Sequence, residues 1–189
     1  MPAICPCPKS AALDELICSI RSAVESGGDA ASIGAGVADV VRPFLGRDDL
    51  LVAGQMEPAV GCYRQHVLHV EPGGSFSVVS LVWLPGQCTP IHDHVSWCVV
   101  GVHKGEEHET TYESHGTNGD RHLVVNRQTV SPVGAVAALV PPGDIHHVAN
   151  GGDCLAVSLH IYGADIGVLG SSIRRNYDLE VRQPAASAV

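Results

Sequence analysis

From about Cys62 onward the chain breaks into short β-rich runs, each closed by glycine, proline, asparagine or aspartate. The candidate strands are 63–70, 75–84, 97–102, 108–113, 123–130, 135–140, 147–149 and 155–162. Turn signals separate them at Pro72-Gly73-Gly74, Pro85-Gly86, Thr117-Asn118-Gly119-Asp120, Pro141-Pro142-Gly143 and Asn150-Gly151-Gly152. Strands this short and this regularly punctuated leave no room for crossover helices. They predict an antiparallel sandwich or barrel, all-β apart from what precedes it.

What precedes it is helical. Leu13, Leu16, Ile17, Ile20 and Val24 recur at helical spacing until Gly27-Gly28, and Ile33, Val37, Val40, Val41 and Phe44 repeat the pattern, with Pro43 near the end. Two amphipathic helices within 1–60 are expected to pack on the β domain, with their apolar stripes serving as core. Residues 1–10 read as a loose terminus and 183–189 as a flexible tail.

Composition excludes several partners. The formal net charge is −9, and the one clustered basic pair is Arg174-Arg175. Nucleic acid or an anionic membrane needs a basic face, so neither is expected. No run is long and apolar enough to span a bilayer. Seven cysteines at irregular spacing, with no secretory signal visible at Met1, read as a reduced cytoplasmic protein with free thiols. Sequence does not report an oligomeric state.

Chemistry is carried first by His92 and His94. In an extended strand, residues two apart share a face, so both imidazoles can meet one metal ion while Asp93 points the other way. A third ligand must come from the other nine histidines. His103, His108, His115 and His122 sit in charged, turn-rich surroundings and read as solvent-exposed. His66 and His69 face opposite sides of one strand. His146 stands apart, because Pro141-Pro142-Gly143-Asp144 delivers it onto a short strand, with His147 the alternative by position. Three neutral histidines suit zinc as well as iron. Farther on, Ser158, His160 and Tyr162 alternate along one strand face, where they can form a hydrogen-bonded relay.

The spacing Gly86-x5-His92-x-His94-x3-Cys98-x6-Gly105 resembles the first cupin motif, with Cys98 where many cupins carry glutamate. Gly134-x6-Pro141-x-Gly143-x2-His146-x3-Asn150 resembles the second, one residue longer than usual. Within cupins, Pro90-Ile91-His92-Asp93-His94, the following Cys98 and Ser158-Leu159-His160-Ile161-Tyr162 are similar to the cysteine dioxygenase group of thiol dioxygenases. The resemblance spans roughly residues 60–177. It implies a cupin jelly-roll β-barrel over 61–182 and Fe(II) held by His92, His94 and His146. It also implies a tyrosine hydroxyl at the iron and oxidation of a small thiol by O2 to the sulfinic acid. In some members the cysteine matching Cys98 forms a thioether with the tyrosine matching Tyr162, whereas many bacterial relatives carry glycine there.

Substrate choice turns on the strand before the first motif. The cysteine-specific type places a carboxylate-binding arginine there. Here alignment through Tyr63 puts Gln65 at that place, and an ungapped count from Phe76 puts His66; Arg64 should face the opposite way. Glutamine resembles the bacterial type that prefers 3-mercaptopropionate, in which a C-terminal arginine binds the carboxylate, a role that Arg174 or Arg175 fits. The leading expectation is therefore an iron-dependent dioxygenase of a small mercapto-carboxylate, 3-mercaptopropionate ahead of cysteine and mercaptosuccinate. A non-catalytic metal- or ligand-binding cupin is the alternative, and a zinc or manganese isomerase would want the carboxylate ligand that Cys98 replaces.

Overall fold

Ser10 accepts the Leu13 N–H on its Oγ at 3.0 Å, capping helix α1 (Ala11–Glu25). Asp29 caps α2 (Ala30–Val41) in the same way, from Ser32 N–H at 2.8 Å. The second apolar pattern overran its helix. Pro43 sits in a 3-10 turn over Arg42–Phe44, because proline lacks the N–H that a further α-turn needs. The computed structural model describes residues 8–117 and 119–184. The expected loose start (1–10) and tail (183–189) fall mostly outside them.

Eleven strands follow among the described residues: β1 (Arg64–Val70), β2 (Ser77–Trp83), β3 (His92–His94), β4 (Cys98–Lys104), β5 (Glu106–His115), β6 (His122–Pro132), β7 (Val136–Leu139), β8 (His146–Ala149), β9 (Ala156–Tyr162), β10 (Ile173–Asn176) and β11 (Val181–Arg182); eight lie close to the expected runs, and β3, β10 and β11 fall outside them. A single turn of helix, α3 (Ile166–Leu169), lies between β9 and β10. The strands form two sheets, ordered β1-β2-β9-β4-β7 and β10-β3-β8-β5-β6-β11, antiparallel except where β11 pairs with β6. From β2 to β5, and again from β6 to β9, each successive strand changes sheet, which is the jelly-roll barrel of the cupin fold. Gly105 turns the chain between β4 and β5 at φ +71°, where a Cβ would meet the Leu155 carbonyl oxygen at 2.8 Å. Among the described residues no helix is long and apolar enough to cross a membrane.

The three central strands of the five-stranded sheet, β2, β9 and β4, are buried on both faces. Val78, Val82, Val99, Val157, Leu159 and Ile161 meet the helices through Leu13, Leu16, Ile17, Ile20, Val37 and Val41. The alternate residues Val79, Leu81, Trp83, Cys98, Val100 and Tyr162 turn into the barrel. Double burial explains why β2, Ser-Val-Val-Ser-Leu-Val-Trp, reads as a nearly continuous apolar run, and β9 is buried at every position although Ser158, His160 and Tyr162 alternate along it. Leu16 is fully buried at the helix–sheet seam. Its replacement by alanine should cost about 2–5 kcal/mol through lost transfer energy and a residual cavity. Urea unfolding followed by circular dichroism checks this.

Candidate metal centre

Three imidazoles converge inside the barrel. His92 and His94 project from β3, and His146 lies opposite His92 in the β3–β8 register. All three are buried, and one ring nitrogen from each lies within 4.8 Å of the others. Among the described residues they are the group of three potential ligands placed to hold one ion. His147, the neighbour on β8, is half-buried and is not part of that group.

Each ring has its other nitrogen engaged. His92 Nδ1–H donates to the Pro90 carbonyl at 2.9 Å, His94 Nδ1–H to Asp144 Oδ2 at 2.9 Å, and His146 Nδ1–H to Glu109 Oε1 at 2.7 Å. A proton on Nδ1 leaves Nε2 as a lone pair, so three neutral Nε2 atoms face one point. The Nε2 atoms of His92 and His146 stand 3.2 Å apart with no proton to share. That repulsion fits a cation between them, and three neutral nitrogens with oriented outer partners are a fitting set for Fe(II) or Zn(II). Burial, followed by the neighbouring His146, pushes His92 down to about 3, so it stays unprotonated at neutral pH. Burial pushes Asp144 up, but hydrogen bonds from the His94 ring and backbone N–H prevail and hold it ionised.

A cavity of about 20 Å³ adjoins the three histidines. Tyr63, Gln65, Thr89, His160, Tyr162 and Ser172 also line it. Tyr162 Oη and His160 Nδ1 are 3.2 Å apart, and His160 Nε2 and Ser158 Oγ are 3.0 Å apart. Burial, and then the nearby histidines, holds His160 well below its ordinary value. Burial, and then Cys98, pushes Tyr162 well above its own. Both are neutral, so a proton can be shared along Ser158–His160–Tyr162 without creating a buried charge. Cys98 is fully buried directly opposite Tyr162 in the β4–β9 register, and burial keeps it a thiol.

Arg174 and Arg175 are placed differently from the expected carboxylate ligands. Strand β10 pairs with β3 so that Ile173 opposes His94 and Arg175 opposes Asp93. Both guanidinium groups therefore share the Asp93 face, away from the histidines. They ion-pair with Asp93 Oδ2, Arg175 at 2.9 Å, and Tyr177 donates to the same oxygen at 2.8 Å. Burial pushes Asp93 up, but these donors prevail and hold it well below the carboxylate range. Changing both arginines to alanine should lower Tm by several degrees, because a buried carboxylate loses its partners. A raised KM for thiol at unchanged Tm would instead return the pair to substrate binding.

Sequence reasoning missed Asp144, Glu109, Tyr63, Thr89 and Ser172. Glu109 had a signal, since Glu107 and Glu109 stand two apart and so place two carboxylates on one face of a strand. His103, expected in solvent, is buried and accepts the Gly46 N–H on Nδ1 at 3.2 Å.

A family profile described as cysteine dioxygenase type I matches residues 60–167. Solved structures of similar shape include a double-stranded β-helix domain protein from Klebsiella pneumoniae, at 20% identity and TM-score 0.46 over 63% of this chain and 92% of that one. A cupin superfamily protein from Desulfitobacterium hafniense matches at 16% identity and TM-score 0.46, over 64% and 95%. An oxalate oxidase matches at 21% identity and TM-score 0.38, over 48% and 43%.

Proposed function

The chain belongs to the cysteine dioxygenase type I family, and on that premise we propose that it is an Fe(II)-dependent thiol dioxygenase. Its substrate on this reading is a small mercapto-carboxylate, 3-mercaptopropionate ahead of cysteine, and its product the sulfinic acid. The observation that carries the reading is the shared cavity of three inward lone pairs and a buried neutral tyrosine at the end of a polar relay. A protein that only stored a metal would have no use for such a relay, and buried polar chains are costly. When bound, Fe(II) supplies Lewis acidity that favours a thiolate and the redox chemistry that carries both oxygen atoms of O2 to sulfur.

The chain's own residues do the rest. Asp144, Glu109 and the Pro90 carbonyl hold the ligand rings in one tautomer. Tyr162 offers a hydroxyl to the substrate or O2, with His160 and Ser158 behind it. Gln65, on the cavity wall with Tyr63 and Ser172, supports a neutral, hydrogen-bonding contact to the substrate carboxylate in place of an arginine. The facing positions of Cys98 and Tyr162 support an oxidative thioether between them. A linked peptide in tryptic mass spectrometry is the expected sign, and unlinked peptides alone would remove it.

The test is oxygen uptake by the iron-loaded protein against a panel of thiols, with sulfinate measured as product. Uptake is expected with 3-mercaptopropionate, and Gln65→Arg should move preference toward cysteine. Stoichiometric iron with no uptake on any mercapto-acid would leave the non-catalytic cupin.

A further inference from the structure

The metal cavity has a neighbour. A second cavity of about 20 Å³ lies beside it, and His146 and Val148 of β8 line both. Three oxygen-bearing side chains, Glu107, Glu109 and Ser131, form its polar wall, and Val100 and Val102 belong to the apolar remainder. Glu107 and Ser131 stand directly opposite each other in the β5–β6 register, and Glu109 follows on the same face as Glu107.

Glu107 is the anomaly in this wall. It is 3% exposed, and its Oε1, wholly out of solvent, meets no hydrogen-bond partner among the described residues. Burying such an oxygen unpaired costs its full desolvation, so native structures supply a partner. The cavity suits one water molecule, which needs roughly 10–15 Å³ and two to four polar partners. A bare cation would want about six oxygen ligands, and two carboxyls and one hydroxyl leave it short. His146 cannot make up the number, because its Nδ1 carries the proton it gives to Glu109 Oε1 at 2.7 Å. An apolar guest would leave Glu107 Oε1 as unpaired as before.

We propose that this cavity binds a single water molecule, which joins Glu107 Oε1 to Glu109 and Ser131 and thereby steadies the Glu109 carboxylate against His146. Water suits either charge state of Glu107. It donates to the carboxylate, or it accepts from the acid and passes its own protons to Glu109 and Ser131. Glu107 is then a positioning residue, acting on a metal ligand only through the water and Glu109. The site rests on the cavity and the unpaired oxygen, and it does not depend on the dioxygenase reading.

The experiment is a high-resolution crystal structure of the full chain loaded with Zn(II), with Glu107→Gln and Glu107→Leu beside it. The wild type should show one density peak within about 3.2 Å of Glu107 Oε1 and of an oxygen of Glu109 or Ser131. Glu107→Gln, whose amide still binds water, should keep the peak and the Zn(II) affinity. Glu107→Leu should lose the peak, and chelator competition should show affinity about 10-fold weaker, the low end for losing an outer partner of a ligand. A wild-type cavity without a peak, or a Glu107 side chain bonded directly to a protein group, would overturn the proposal. So would a peak with cation-like short distances to about six oxygens, or unchanged affinity in the Leu variant. The wild-type map decides alone if that variant does not fold. None of these measurements needs turnover, so a protein inactive on every thiol but holding the water would sink only the dioxygenase reading.

Discussion

His94→Ala protein is expected to emerge folded, without iron, and inactive toward every thiol. Two histidines cannot hold a ferrous ion as three do, and the variant strands Asp144, whose Oδ2 accepts both the His94 ring and its backbone N–H. Metal analysis and circular dichroism, run together, separate loss of the ion from loss of the fold. Asp144→Asn serves as the graded companion. It keeps all three ligands but weakens the grip on the His94 ring, so metal affinity should fall about 10- to 100-fold. Full iron occupancy in His94→Ala would mean that the three lone pairs do not hold the ion.

Tyr162→Phe is expected to keep its iron and lose about 100-fold or more in kcat, the low end for removing a positioned proton donor. The ring stays in the barrel wall, so the change is the hydroxyl alone. His160 Nδ1 loses its partner, which should cost on the order of 1 kcal/mol of stability. An oxygen electrode and iron analysis on the same preparation give the answer. Unchanged kcat would show that the relay serves packing only.

Much of this architecture was legible before any coordinates. Leu13, Leu16, Ile17 and Ile20 announced α1 because a helix with one buried stripe must repeat at its own period. His92 and His94 announced a shared face because a strand alternates. What stayed hidden depended on partners distant in sequence. Asp144 lies 50 residues from His94, and Glu109 lies 37 from His146. No local pattern marks such pairs. Strand β10 was hidden for a related reason: Ile173-Arg174-Arg175-Asn176 lacks apolar alternation, and its pairing with β3 depends on a buried Asp93. The arginines looked free for a substrate because nothing local announced that carboxylate.

The two halves of the centre differ in how they should breathe. The relay strand β9 lies in the middle of a sheet covered by helices outside and packed barrel inside, so its amides should exchange with deuterium only on global unfolding. The ligand strand β3 is three residues long and has β10 as its outer neighbour, at the rim of the other sheet. Its amides should exchange through smaller, local openings. Metal can then enter or leave through fluctuations of the rim while the proton path on β9 stays assembled, and a protein stripped of iron should return to full activity without refolding.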